Sequence, residues 1–421
     1  IKLPSQLKTH GIKNSLILTS GNFISSAIAA LTFIITSRVL SPSEFGNFSA
    51  HLAILLLFTR ITDLGLNIAI QRQIARESSA SIISKIITTG VLLKLISWVT
   101  LLILGSILAP YITTHFLQNI STPNLIIIFS LVAITLFFDL SMVIIQGLQK
   151  FTTNSLYSIS LSFLKLIGIL LFIFIGKTTS HNFFYIFAIT PLIPTLLNLK
   201  NIRYSLNYNL ADFKFHAKSL IQISKWTGLA MIAAAAADNF DIILIQTYLN
   251  NEQTGLYAAA SRLAVFFSLF GMSIGTVLSI QVAKYKFSNQ ISLYLRKAHL
   301  FALLSIFGLI LISFFSYWGI YLTSGQAYLP ATPALAILLI ATGFDIAASP
   351  FIALFYLYNH PRYYFYAGIL LLITLITTNY ILIPIYGING AATAKLVTRL
   401  TLFVFTIFYT LQATKHHLKS S

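Results

Sequence analysis

The chain has 421 residues, of which 57% are hydrophobic and only 9% charged, and 27 Lys and Arg against 9 Asp and Glu leave a formal charge of +18. A water-exposed domain carries about 25% charged residues, so this composition excludes a soluble globular protein and points to a surface in contact with lipid. Cysteine is absent, which excludes disulfides and thiolate metal sites.

The apolar runs are long and unbroken, as a spanning helix requires, rather than short and alternating in polarity, as a spanning strand requires. The first, 14–37, follows Lys2, Lys8 and Lys13. Its Ala27-Ile28-Ala29-Ala30 segment has the small residues of a signal-peptide cleavage site, yet the run continues through Ile35 and reads as a first spanning helix. Further spans are predicted at 46–70, 86–108, 123–146, 155–176 and 182–199. The longest polar gap, 200–218, holds Lys200, Arg203, Asp212, Lys214 and Lys218. After it come spans at 219–248, 254–283, 298–321, 330–356, 363–383 and 389–411. The predicted organisation is an N-terminal six-helix lobe at 1–200, a basic cytoplasmic linker at 201–218 and a C-terminal six-helix lobe at 219–421. The predicted class is an all-α integral membrane protein of about twelve transmembrane helices.

Lys and Arg crowd one side of this topology, whereas the other side holds only Arg38 and Lys177. The positive-inside rule then places both termini in the cytoplasm. Most of the net charge is this topological signal. A nucleic-acid partner would need a basic face on a folded domain, and no interval is long enough for one.

The two halves echo each other. Leu40, Gly46, Phe48 and Ala50 correspond to Leu249, Gly255, Tyr257 and Ala259, although Ile70 meets a mismatched Ser279. Phe138-Asp139 corresponds to Phe344-Asp345 at nearly the same displacement, close to half the chain. An even number of spans per half makes the repeat parallel, with the lobes related by a pseudo-two-fold axis along the membrane normal.

Charges inside the spans are the candidate functional residues, because each would cost about 2.5–3.5 kcal/mol at the centre of a lipid-facing helix. Arg60 and Asp63 lie three apart and share a helix face. They read either as a mutually neutralising pair, or as a substrate-facing Arg60 oriented by Asp63. Arg262 has no acid three or four residues away, so its partner is a ligand or another helix, with Asp238 and Asp241 as candidates for a cross-helix pair. Asp238 and Asp241 repel each other unless a cation, a proton or a basic side chain intervenes, which makes them candidates for coupling to Na+ or H+. Lys165 stands alone in mid-span and reads as a cavity residue. Lys94 is expected to snorkel to the inner face, and Lys395 and Arg399 form a basic stripe. Asp139 and Asp345 are expected to share a packing or helix-bending role.

Small residues at Ala233–Ala237 and Gly271-x-x-x-Gly275 favour close helix approach, and Pro191, Pro194 and Pro350 should kink their helices. No phosphate-binding Gly-rich loop ends in Gly-Lys-Ser/Thr. The nine His residues show no metal-ligand spacing, and no Ser-His-Asp set can be argued. The outer loops are short and nearly free of charge, which argues against a membrane glycosyltransferase or polymerase. No cofactor is expected beyond a coupling ion.

The segment LSPSEFGNF at Leu40–Phe48, followed by Asp63-Leu64-Gly65 and Arg72-x-Ile74-Ala75, resembles the opening of Wzx-type polysaccharide flippases, within the multidrug/oligosaccharidyl-lipid/polysaccharide exporter superfamily. Thr254-Gly255-x-Tyr257-x-Ala259-Ala260 is a weaker second match. The resemblance implies two lobes around a basic central cavity lined largely by the first two helices of each half, which carry Arg60 and Arg262. It implies a substrate of undecaprenyl-pyrophosphate-linked oligosaccharide, moved between leaflets of the bacterial inner membrane for O-antigen or related polysaccharide. It also implies membrane lipids, a polysaccharide polymerase and a chain-length regulator as partners. A cation-coupled multidrug exporter of the same superfamily is the main alternative.

Overall fold

The computed structural model describes residues 5–117, 119–199, 210–282, 288–357 and 362–420, with side chains at 17–117, 119–199, 212–225, 228, 231–269, 293–352, 354, 366–410 and 412. Among these residues there are helices and no strands. The elements are α1 (Ser5–Val39), α2 (Pro42–Asp63), α3 (Leu66–Ile74), α4 (Ala80–His115), α5 (Thr122–Gly147), α6 (Phe151–Phe174), α7 (Ser180–Ile189), α8 (Leu192–Leu199), α9 (Leu210–Tyr248), α10 (Asn251–Val282), α11 (Ser288–Ser313), α12 (Ser316–Thr323), α13 (Thr332–Leu357) and α14 (Arg362–Ser420). Every predicted span falls on helix, and nine of the helical runs among the described residues are long and apolar enough to cross a membrane.

Several predicted spans are interrupted or bent, and the interval 384–388 between two predicted spans is built on a glycine, each for a local reason. Leu64 and Gly65 both take positive φ, at 50° and 74°, and separate α2 from α3. Pro191 lies between α7 and α8, where its missing N–H ends the first helix. Gly387, with φ 59°, breaks the helical path within α14. Pro350 lies inside α13 and leaves the Ile346 carbonyl without its backbone donor; the Ser349 hydroxyl donates to that oxygen at 2.8 Å instead. The predicted linker is partly helical, because α9 begins at Leu210; 200–209 lies outside the described residues, as do the side chains around Gly271 and Gly275.

The chain forms two compact units. The first comprises 1–39 and 50–235, and the second 40–49 and 236–421. One boundary lies between α1 and α2, and the other two cut through α2 and α9.

In the first unit, α3 brings Leu66, Ile70 and Ile74 against Ile83 and Ile87 of α4, Leu140 and Ile144 of α5, and Leu220 of α9. On α1, Gly21 and Ser25 let the helix approach Ser155, Ser158 and Ser162 of α6 closely. The Ser25 and Ser162 hydroxyls lie 2.8 Å apart, so the contact satisfies its own polar groups.

In the second unit, the Leu40–Phe48 segment is structural. Phe45 and Phe48 are buried, Phe45 meets the Tyr328 ring edge-on, and the Tyr328 hydroxyl donates to the Leu40 carbonyl at 3.0 Å. The repeat partners Gly46 and Gly255 press on each other's backbones: a Cβ on Gly46 would overlap the Asn251 carbonyl, and one on Gly255 the Pro42 carbonyl. The echoed glycines thus mark a contact too close for any side chain. Ala298 and Ala302 of α11 pack on Ala347, Phe351 and Leu354 of α13.

Gly46→Val and Gly255→Val are each expected to destabilise the detergent-solubilised protein by at least about 1–3 kcal/mol, read as a lowered Tm. Gly308→Ala, in α11 with open space around it, should instead gain about 0.5–1 kcal/mol.

Candidate functional site

The intramembrane charges gather into one constellation in each unit. In the first unit, α2, α4, α5 and α6 contribute Arg60, Asp63, Lys94, Asp139 and Lys165. The sequence-predicted neighbours Arg60 and Asp63 do not pair with each other. Arg60 reaches Asp139 on α5 at 3.2 Å, with side chains 40% and 27% exposed. Asp63 instead accepts Lys94 at 2.8 Å, and both are buried.

Lys94 corrects a sequence expectation. It does not snorkel; its side chain is 0% exposed. Its ammonium donates to the Asn67 side-chain oxygen at 2.7 Å and to the Leu136 carbonyl at 3.4 Å, as well as to Asp63. The buried ammonium thus has a carboxylate partner and two oxygen acceptors, the condition for burying a lysine. The acceptors exist because the helix breaks at Leu64–Gly65. Asp63 ends α2, and its second oxygen accepts the backbone N–H of Asn67 in the first turn of α3 at 3.5 Å. The buried pair is what fastens the break.

Lys165 has no carboxylate within ion-pair distance among the described residues. Its ammonium stands 5.0 Å from the centroid of the Phe187 ring, a cation–π contact. The first constellation thus holds Arg60, Lys94 and Lys165 against Asp63 and Asp139, an excess of one positive charge.

In the second unit, α9, α10, α13 and α14 contribute Asp238, Asp241, Arg262, Asp345, Lys395 and Arg399. Asp241 is buried and fully engaged. One oxygen receives Lys395 at 2.8 Å and the Tyr257 hydroxyl at 2.5 Å, and the other accepts the Ile242 N–H at 2.9 Å. Arg399 bridges Asp345 at 3.0 Å and Asp238 at 3.5 Å. Asp238 itself is 65% exposed. Arg262, half-buried on α10, lies in the fields of Asp241 and Asp238. Three positive charges here face three negative ones.

Of the sequence-predicted site residues, the structure brings Arg60, Asp63 and Lys165 into one unit, and Arg262, Asp238 and Asp241 into the other. The two aspartates expected to need a cation have basic side chains from α14. Asp139 and Asp345 occupy like positions in the repeat and have like partners. Beyond any packing role, each holds an arginine: Arg60 on α2 and Arg399 on α14. Their isolation in mid-span was the available signal, since a lone intramembrane acid needs a cation. Tyr257 gave no such signal, because a tyrosine among apolar residues reads as core. No cluster of three or more His, Cys, Asp or Glu suited to a metal occurs among the described residues.

Comparisons with known proteins agree on the class. The model of a family described as polysaccharide biosynthesis protein matches residues 12–279. An inward closed structure of the lipid II flippase MurJ superposes with a TM-score of 0.74 at 16% identity, covering 96% of this chain and 91% of that one. An inward-facing multidrug resistance MATE family transporter of the MOP superfamily superposes with a TM-score of 0.73 at 16% identity, covering 97% and 99%. A MOP superfamily transporter from Pyrococcus furiosus, described as having a binding pocket of reverse polarity, gives 0.59 at 16% identity over 95% and 96%. No curated protein matches the sequence significantly. The fold is therefore that of MOP transporters, and these relatives are transporters and flippases rather than enzymes.

Removing one partner of a buried pair leaves an uncompensated charge, at a cost of about 3–5 kcal/mol. Lys94→Met is expected to lower stability by that amount in a detergent melt. Asp63→Leu added to Lys94→Met should recover most of it, since the pair is then replaced by apolar groups.

Proposed function

The chain belongs to the polysaccharide biosynthesis protein family, and from that membership and the layout of its charges we propose that it turns undecaprenyl-pyrophosphate-linked oligosaccharide repeat units from the cytoplasmic to the periplasmic leaflet by alternating access. That it is a multi-pass membrane protein of the flippase and transporter class is the premise; the substrate and direction are the proposal.

The observation that supports the reading is the charge imbalance of the first unit. A pyrophosphate cannot enter hydrocarbon unaccompanied. The first unit offers Lys165, a cation with no carboxylate in ion-pair distance among the described residues, and a partly exposed arginine, Arg60, whose carboxylate partner Asp139 is itself partly exposed. In this reading the Arg60 guanidinium forks onto phosphate oxygens, Asp139 orients it, and Lys165 adds the second positive charge. Asp63 holds Lys94 and touches no substrate. Arg262 is a further candidate contact for the sugar or phosphate, and the prenyl chain stays in lipid. The Lys and Arg asymmetry supports both termini in the cytoplasm of a bacterial inner membrane, and the turned-over unit would feed a polymerase and its chain-length regulator in O-antigen or related polysaccharide synthesis.

A second reading, a cation-coupled multidrug exporter, is favoured by the likeness to the MATE transporter and by the exposure of Asp238, the carboxylate open to a coupling Na+ or H+. The two readings separate on deletion. Under the first, lipid-linked repeat units accumulate and long-chain polysaccharide is lost, with drug susceptibility unchanged; under the second, drug susceptibility rises and polysaccharide is normal.

A charge-assisted hydrogen bond is worth about 1.5–3 kcal/mol, so Arg60→Ala and Lys165→Ala should each cut surface polysaccharide at least about tenfold at unchanged protein level. Arg60→Lys should restore only part of it. Full polysaccharide in both alanine variants would remove these residues from the mechanism.

A further inference from the structure

The first turns of α9 carry a surface that transport chemistry does not use. Ala217, Leu220 and Ser224 are buried, and Leu220 joins the core formed with α3, α4 and α5. The opposite face is exposed and carries Lys214, Phe215, Lys218 and Ile221, at helical spacings that keep them on one side. Phe215 is 72% and Ile221 52% exposed. Two large apolar side chains interleaved with lysines, and no acid between them, match an interfacial helix face, with the lysines at phosphate level and the apolar groups at the acyl boundary.

The surroundings strengthen the positive field. Gln73 at the end of α3 donates to the Ser219 hydroxyl at 2.7 Å, tying that end of α3 to α9. Arg72 and Arg76, both exposed, flank Gln73 in the chain. The two acids nearby are already occupied. Asp212 is held by Lys85 at 3.0 Å, and Glu77 accepts the backbone N–H groups of Ser78 and Ser79 at 3.1 and 3.2 Å. Among the described residues neither forms an ion pair with Lys214 or Lys218.

We propose that this face of α9, with Arg72 and Arg76 beside it, is a docking surface for the headgroups of anionic phospholipids in the adjoining leaflet. The inference is independent of the transported substrate. It also gives lipid a mechanical route into the protein, because α9 continues as one helix from Lys214 to the buried Asp241.

The test uses the full chain in a neutral detergent, with Tm followed as lipid is added. Phosphatidylglycerol should raise Tm saturably and more than phosphatidylcholine or inorganic phosphate does, and added salt should weaken the effect, since exposed charges are screened. Lys214→Gln with Lys218→Gln should raise the half-saturating phosphatidylglycerol concentration about 25-fold, about fivefold per lysine. Arg296→Gln with Lys297→Gln, exposed at the start of α11, should leave it unchanged. An unshifted half-saturation in the Lys214/Lys218 variant overturns the assignment. So does an equal shift in the Arg296/Lys297 variant, or a wild-type response to phosphatidylcholine or phosphate that matches phosphatidylglycerol.

Discussion

The cost of an unpaired charge away from water governs the layout of this protein. Each intramembrane acid would be expensive alone, and in the structure each of the five has a basic partner within 3.5 Å. The pairs divide by burial. Lys94–Asp63 and Lys395–Asp241 are the more buried pairs, as fixed parts of the scaffold. Arg60–Asp139 and Arg399–Asp345 are more open.

Broken helices follow the same constraint. Interrupting a helix in a membrane exposes backbone groups that must find partners within the protein. At Leu64–Gly65 the buried Asp63–Lys94–Asn67 arrangement supplies them. At Pro350 the neighbouring Ser349 hydroxyl answers the orphaned Ile346 carbonyl. Close approach without side chains, as at Gly46 and Gly255, is the other local solution, and it accounts for the glycine in each copy of the repeat.

Much of this was legible in the sequence. The class followed from the scarcity of charge, the spans from the length of the apolar runs, and the breaks near Pro191 from proline chemistry. The Gly46–Gly255 echo was visible, although that the two glycines touch was not. Pairing was the least legible part. Spacing on one helix placed Arg60 beside Asp63, but tertiary contacts redirected both, because Asp139 and Lys94 come from helices that sequence cannot align. Lys94 misled for a physical reason: its distance from the predicted helix end suggested snorkelling, whereas the Leu64–Gly65 break on another helix created acceptors for it in the interior.

The central claim is that the excess positive charge of the first unit carries a lipid-linked diphosphate across the bilayer. The most direct measurement places the purified protein in liposomes with a labelled undecaprenyl-pyrophosphate oligosaccharide and follows the label's access to a membrane-impermeant reagent. The account predicts that all of the label becomes accessible with wild-type protein, and only the outer-leaflet fraction with an Arg60→Ala/Lys165→Ala variant that melts normally. Equal access with the variant, or none beyond the outer leaflet with wild type, would contradict it.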